Sequence, residues 1–193
     1  MRLQGIAVSL VLLTYAAAPG IAQDAAKKPG VDKAAAYYNY SLGHLYAELA
    51  ATYGNRGDYL SKAIVHYKAA IKADPTATFL SEELSDLYMQ GGKIRDAVLE
   101  AEENIKQNPN DLVSRRILGR IYARLVGDPQ QKGINEEMLK KALEQYQKIA
   151  EKAPRDIDTQ LMLGRLFKMS QNSVDSEKAF KKALELDPNK AMQ

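Results

Sequence analysis

Two histidines, no cysteine and a scatter of adjacent acids are the residues of this 193-residue chain that could carry chemistry. The absence of cysteine removes thiolate nucleophiles, thiolate metal ligands and disulfides together. It also removes the residue by which a bacterial lipoprotein is acylated. His44 and His66 could form a metal pair, but no acidic residue stands at ligand spacing from either, and a zinc site usually takes three or four converging ligands. The acidic pairs Glu82-Glu83, Glu102-Glu103 and Glu136-Glu137 are adjacent in sequence, and neighbours on a helix point in different directions. They read as solvated charge rather than as an acid–base couple. No Gly-x-Ser-x-Gly elbow occurs, and no Gly-rich loop opens a helix after a strand. No catalytic residue, metal or cofactor is expected. The formal net charge is +3, and Lys140-Lys141 and Lys181-Lys182 sit among Glu and Ala as solvated helix faces. Without a basic stripe, nucleic acid is not an expected partner.

With no reaction to position, the elements themselves carry the information. Residues 1–22 read as a secretory signal peptide. Arg2 gives a positive start, and Ile6 to Ala17 is apolar or small apart from Ser9, Thr14 and Tyr15. That run is shorter than the about 20 apolar residues of a membrane span. Gly20-Ile21-Ala22 then supplies a small-x-small cleavage pattern, which places the cut before Gln23. The alternative is an uncleaved N-terminal anchor. Residues 23–33 are polar around Pro29-Gly30 and read as a flexible linker. The chain is accordingly expected to be exported, periplasmic or secreted from a bacterial envelope, with no membrane span after cleavage.

Beyond the linker the sequence repeats itself. Ala73-Asp74-Pro75, Gln107-Asn108-Pro109 and Leu186-Asp187-Pro188 are similar phrases, and Ala153-Pro154 is a fourth. Pro75 to Pro109 is 34 residues, and so is Pro154 to Pro188. Three segments upstream share another phrase: Leu42-Gly43-His44-Leu45-Tyr46, Leu118-Gly119-Arg120-Ile121-Tyr122 and Leu163-Gly164-Arg165-Leu166-Phe167. Leu84-Ser85 and Tyr88 make a fourth copy. Downstream stand Ala63, Tyr67 and Ala70, then Ala97 and Ala101, then Ala142 and Tyr146, then Ser176, Phe180 and Ala183. This pattern resembles the tetratricopeptide repeat. The resemblance implies an all-α, right-handed superhelical solenoid of about four antiparallel helix pairs over residues 34–193, with repeats at about 36–75, 78–109, 112–154 and 157–188. A small residue on each first helix lets the second approach, the aromatic fills the gap, and the proline stops the second helix.

The chain departs from the repeat in places. Asn39, Ser81, Arg115 and Gln160 stand where tryptophan is expected. In the first repeat the apolar spacing Leu42, Leu45, Tyr46, Leu49, Ala50, Tyr53 predicts an extended helix, with the turn at Asn55 to Asp58. In the third, Gly127-Asp128-Pro129 and Gly133 predict an inserted loop before Asn135 caps a longer helix. The chain ends at Gln193 without an extra polar capping helix, which leaves self-association through the last repeat open.

The resemblance further implies that first-helix residues line a concave groove. These are Tyr37, Tyr40, His44 and Ala47, then Glu82, Asp86 and Met89, then Arg116, Arg120 and Ala123, then Leu161, Arg165 and Lys168. The groove would be aromatic, then acidic, then basic, and would suit a peptide or protein partner with an acidic part. Alternatively, Arg116 and Arg120 pair with Glu82 and Asp86 and bind nothing. The Asn and Lys set of the chaperone-binding carboxylate clamp is missing. Two functions stay open. One is an exported interaction scaffold for envelope complex assembly or handling of exported proteins. The other is an accessory subunit or assembly factor of one exported enzyme, for example in cytochrome maturation. An enzyme domain is a third.

Overall fold

The computed structural model describes residues 30–53, 58–127 and 133–191. Residues 31–193 form one unit, and residues 1–30 form another, of which only Gly30 is described. The signal segment 1–22, most of the linker, residues 54–57 of the first predicted turn and residues 128–132 of the inserted loop lie outside the described residues. Eight longer helices follow in four pairs: α1 Lys33–Tyr53 with α2 Tyr59–Ala73, α3 Thr78–Gln90 with α4 Ile94–Gln107, α5 Leu112–Leu125 with α6 Glu136–Lys152, and α7 Ile157–Met169 with α8 Ser173–Leu186. A single turn, α9 Pro188–Ala191, ends the described chain. The described residues contain no strand. Each helix packs on its neighbours in sequence, and α3 also packs directly on α5. This is the all-α helical-repeat superhelix that the sequence implies. Among the described residues no helix is long and apolar enough to cross a membrane.

The pairs close where the repeated phrase puts a glycine under an aromatic ring. A Cβ built on Gly43 would lie 2.9 Å from Tyr67 Cδ2, one on Gly119 2.9 Å from Tyr146 Cε2, and one on Gly164 2.6 Å from Phe180 Cε1. Tyr67 and Tyr146 are buried, and burial holds both phenols above their ordinary pKa, so both stay neutral. In the second repeat Ser85 replaces the glycine and Ala101 the ring, and both are buried.

The proline phrases form one recurring turn. The N–H before each proline closes the preceding helix: Asp74 on Ala70 O at 2.9 Å, Asn108 on Asn104 O at 2.8 Å, Ala153 on Ile149 O at 2.7 Å and Asp187 on Ala183 O at 3.0 Å. The side chains of Asp74, Asn108 and Asp187 then accept the N–H two residues on, at 2.9, 3.1 and 2.9 Å. Proline fits here because no N–H is asked of it.

The insertions leave this frame intact. Helix α1 runs to Tyr53, as the apolar spacing predicts. Gly127 and Gly133 both adopt positive φ, 90° and 78°, and Asn135 N donates to Val126 O at 2.8 Å. The inserted loop therefore leaves and rejoins the chain at one point. Asn135 Oδ1 accepts from Met138 N at 3.1 Å and caps α6 as expected, with Glu136 and Glu137 in the first turn.

Two substitutions test this frame. Alanine is a better helix former than glycine by about 1 kcal/mol, but overpacking a filled core costs about 1–3 kcal/mol. The 2.6 Å approach at Gly164 makes the clash win, so Gly164→Ala is expected to lower the thermal midpoint, and a rise would refute the contact. The opposite sign is expected at Gln171. Its φ is 58°, in the turn where the second repeat places Gly92 at 66°. A non-glycine residue held there costs about 1–2 kcal/mol, so Gln171→Gly should raise the midpoint in the same melt.

Candidate functional site

The surface of interest is formed by the first helices α1, α3, α5 and α7. Positions one turn apart on each helix share a face. Tyr40, His44 and Ala47 therefore align on α1, Glu82, Asp86 and Met89 on α3, Arg116, Arg120 and Ala123 on α5, and Leu161, Arg165 and Lys168 on α7.

At the α1 end, Tyr40 stacks on His44 with ring centroids 6.0 Å apart. It also meets Tyr67 and Phe79 edge-on, at 6.0 and 5.5 Å. Tyr37, one turn earlier, is 73% exposed. Phe79 at the start of α3 is half-exposed and belongs to this aromatic cluster; nothing in the repeat phrase marks it. His44 Nε2 lies 3.3 Å from Glu48 on the same helix. His66 Nδ1 instead faces Asn39 Oδ1 at 3.1 Å. Asn39 Nδ2 already donates to Ala35 O at 2.9 Å, so the His66 ring supplies the proton in that bond. Each histidine thus has its own partner, and among the described residues no three His, Asp or Glu side chains converge as a metal site. A depression of about 220 Å³ brings His44 and Ala47 of α1 beside Glu83 and Asp86 of α3.

In the centre the charges satisfy one another. Arg120 lies 3.5 Å from Glu82 and 3.3 Å from Asp86. Burial pushes the Glu82 carboxyl above its ordinary range, and the Arg120 charge opposes that rise. Burial works against the Arg120 charge too, but the Asp86 hydrogen bond and the Glu82 charge outweigh it. Asp86 Oδ1 and Arg120 Nε have no hydrogen-bond partner among the described residues.

Arg116 departs from the sequence expectation. It does not join Glu82 and Asp86 but pairs with Asp156, the residue before α7, and donates to Thr159 Oγ1 at 3.3 Å. Thr159 Oγ1 donates in turn to Asp156 Oδ2 at 2.5 Å. Both members of the Arg116–Asp156 pair are only 11% exposed, so losing either would cost about 3–5 kcal/mol through the charge left behind. Beside it, Thr78 Oγ1 at the start of α3 donates to Asp158 Oδ2 on α7 at 3.4 Å. The first helices of the second and fourth repeats therefore touch across α5. Sequence reasoning missed Asp156, Asp158 and Thr159 because it compared each first helix only at the groove positions of its neighbour.

The last helix differs. Arg165 occupies the position of Arg120 one repeat on, yet it is exposed, as is Lys168. Neither side chain makes an ion pair or hydrogen bond with the described residues. The surface thus divides into an aromatic end, a self-paired middle and a cationic end.

No protein-family profile matches the chain, and no curated protein matches it. Solved structures do. The thermophilic TPR protein TTC0263 of Thermus thermophilus is 18% identical, aligns over 80% of this chain and 75% of its own, and gives a TM-score of 0.51. YrrB, described as a TPR protein with an unusual peptide-binding site, is 20% identical over 82% of this chain and 72% of its own, with a TM-score of 0.46. MamA AMB-1 is 19% identical over 82% and 76%, at 0.48. Four copies of one helix-pair phrase, and a backbone that follows TTC0263 over most of its length, give this chain the tetratricopeptide-repeat fold.

Proposed function

We propose that this chain is an exported, non-catalytic scaffold that binds a polypeptide along its first helices, in envelope complex assembly or the handling of exported proteins. The observation that carries the reading is the contrast between Arg120 and Arg165. The two stand at matching positions, but Arg120 is occupied by Glu82 and Asp86, while Arg165 and its neighbour Lys168 are exposed and unpaired. A guanidinium fork recognises a carboxylate through two parallel hydrogen bonds. An acidic stretch of the partner would lie on α7. Its apolar or aromatic residues would reach Tyr37, Tyr40 and Phe79, where rigid rings give contact area at low entropic cost. Export rests on the signal-like segment ending at Ala22.

The partner is to be isolated by pull-down from envelope extract and titrated against wild type and an Arg165→Ala/Lys168→Ala double variant. The variant should bind about tenfold more weakly, equivalent to about 1.4 kcal/mol. Its thermal midpoint should stay unchanged, since exposed charges contribute little to folding. Wild-type binding should also weaken with added salt. Equal affinities for both proteins at low and high salt would move the site off α7. N-terminal sequencing of the native protein should read from Gln23, and a chain that still begins at Met1 would overturn cleavage.

A further inference from the structure

The second repeat lacks the ring that fills the other three. Tyr67, Tyr146 and Phe180 each lie on the glycine of their own first helix, and Ala101 takes that place on α4. Exchanging glycine and tyrosine for Ser85 and Ala101 removes more volume than it returns. The helices do not close over the loss: α3 packs more closely on α5 than on its own partner α4. What remains is a cleft of about 430 Å³ between α2, α3, α4 and α5. An engineered apolar cavity of about 150 Å³ is enough to take benzene.

The lining is chemically graded. Ile71, Leu84, Ala101 and Ile117 make the apolar depth. At the rim Lys68 of α2 reaches Glu100 of α4 at 2.6 Å. Tyr88 Oη donates to the same Glu100 oxygen at 3.3 Å, and Lys68 Nζ stands 5.9 Å from the centre of the Tyr88 ring. The rim is thus held by surface-exposed polar contacts that part at little cost, over a floor that offers only dispersion and hydrophobic contact.

We propose that this cleft is a second binding site, separate from the α7 cations, and that it takes an aromatic side chain of a partner polypeptide. The same fold supplies the argument for a ring: it seats one against the small residue of the first helix in each of the other three repeats. An aromatic side chain entering from outside would complete the fourth contact. The site rests on the reading of the chain as a polypeptide binder, but its test is independent of Arg165 and Lys168.

The probes are p-cresol and toluene, the side chains of tyrosine and phenylalanine without a backbone. They are titrated into the mature wild-type protein and followed by methyl NMR. Saturable shifts are expected at the methyls of Ile71, Leu84 and Ile117. The paired variant Ser85→Gly/Ala101→Tyr installs the contact of the other repeats, and it should melt higher than wild type and lose those shifts. If that variant does not fold, Ala101→Met fills the cleft with a flexible side chain and must abolish the same shifts. Shifts that persist in a folded, filled variant, or that fall on other methyls, would overturn the proposal. So would a wild type that binds neither probe. Should the ring site hold and the α7 double variant bind its partner normally, the cleft stands and the cationic groove falls.

Discussion

The contact between a first-helix small residue and a second-helix ring sets the rest of this structure. It fixes how closely the two helices of a pair approach, and so where the next pair can stack. In three repeats the ring comes so near that even a methyl group has no room. Helical propensity alone would favour alanine at those glycines by about 1 kcal/mol. That glycine stands there shows that packing, not propensity, governs these positions. The proline turns act at the other end of each pair. They stop the second helix at a set point and start the next first helix a few residues on, and with both ends defined the array follows from neighbour contacts alone.

Charge is arranged on top of that skeleton rather than within it. The α3–α5 pairs are partly exposed, with Arg120 at 22%, Asp86 at 33% and Glu82 at 38%; contacts of this kind are worth about 0–1 kcal/mol each. The Arg116–Asp156 pair is drier and costlier to break. It lies beside the point where α3 and α7 meet through Thr78 and Asp158. Together these contacts fasten three successive first helices and occupy the middle of the surface with the protein's own side chains. A partner would find open chemistry only at the two ends.

The local rules of the fold were legible because they are written in residue type at fixed spacing. The glycines, rings and prolines appear in order, the apolar run extends α1 to Tyr53, and Asn135 announces the cap of α6. The site was less legible. Tyr40 and His44 do share a face, and Arg120 does meet Glu82 and Asp86. The partner of Arg116 was missed because Asp156 precedes a helix two repeat-halves away, where periodicity on one helix says nothing. Phe79 was missed for a similar reason: it follows no phrase, and its contact with Tyr40 depends on how α3 starts against α1. Spacing finds what one element presents; it does not find what a turn brings alongside.

The departures from the repeat fall into two physical kinds. Some are compensated in place. Ser85 turns its hydroxyl back to Ser81 O at 2.6 Å, so a buried polar atom is satisfied and nothing is left to bind. Others are not compensated. Arg165 keeps the charge of Arg120 without its acids, and Ala101 keeps the place of a ring without its volume. A compensated change is neutral to folding and silent in function. An uncompensated one leaves contact unmade, either an unpaired charge in water or an apolar wall without a neighbour. The second kind costs stability unless something outside the chain completes it, and sites of that sort are where natural sequences depart from local consistency. On that criterion the α7 cations and the second-repeat cleft are the two places where this array is unfinished by itself.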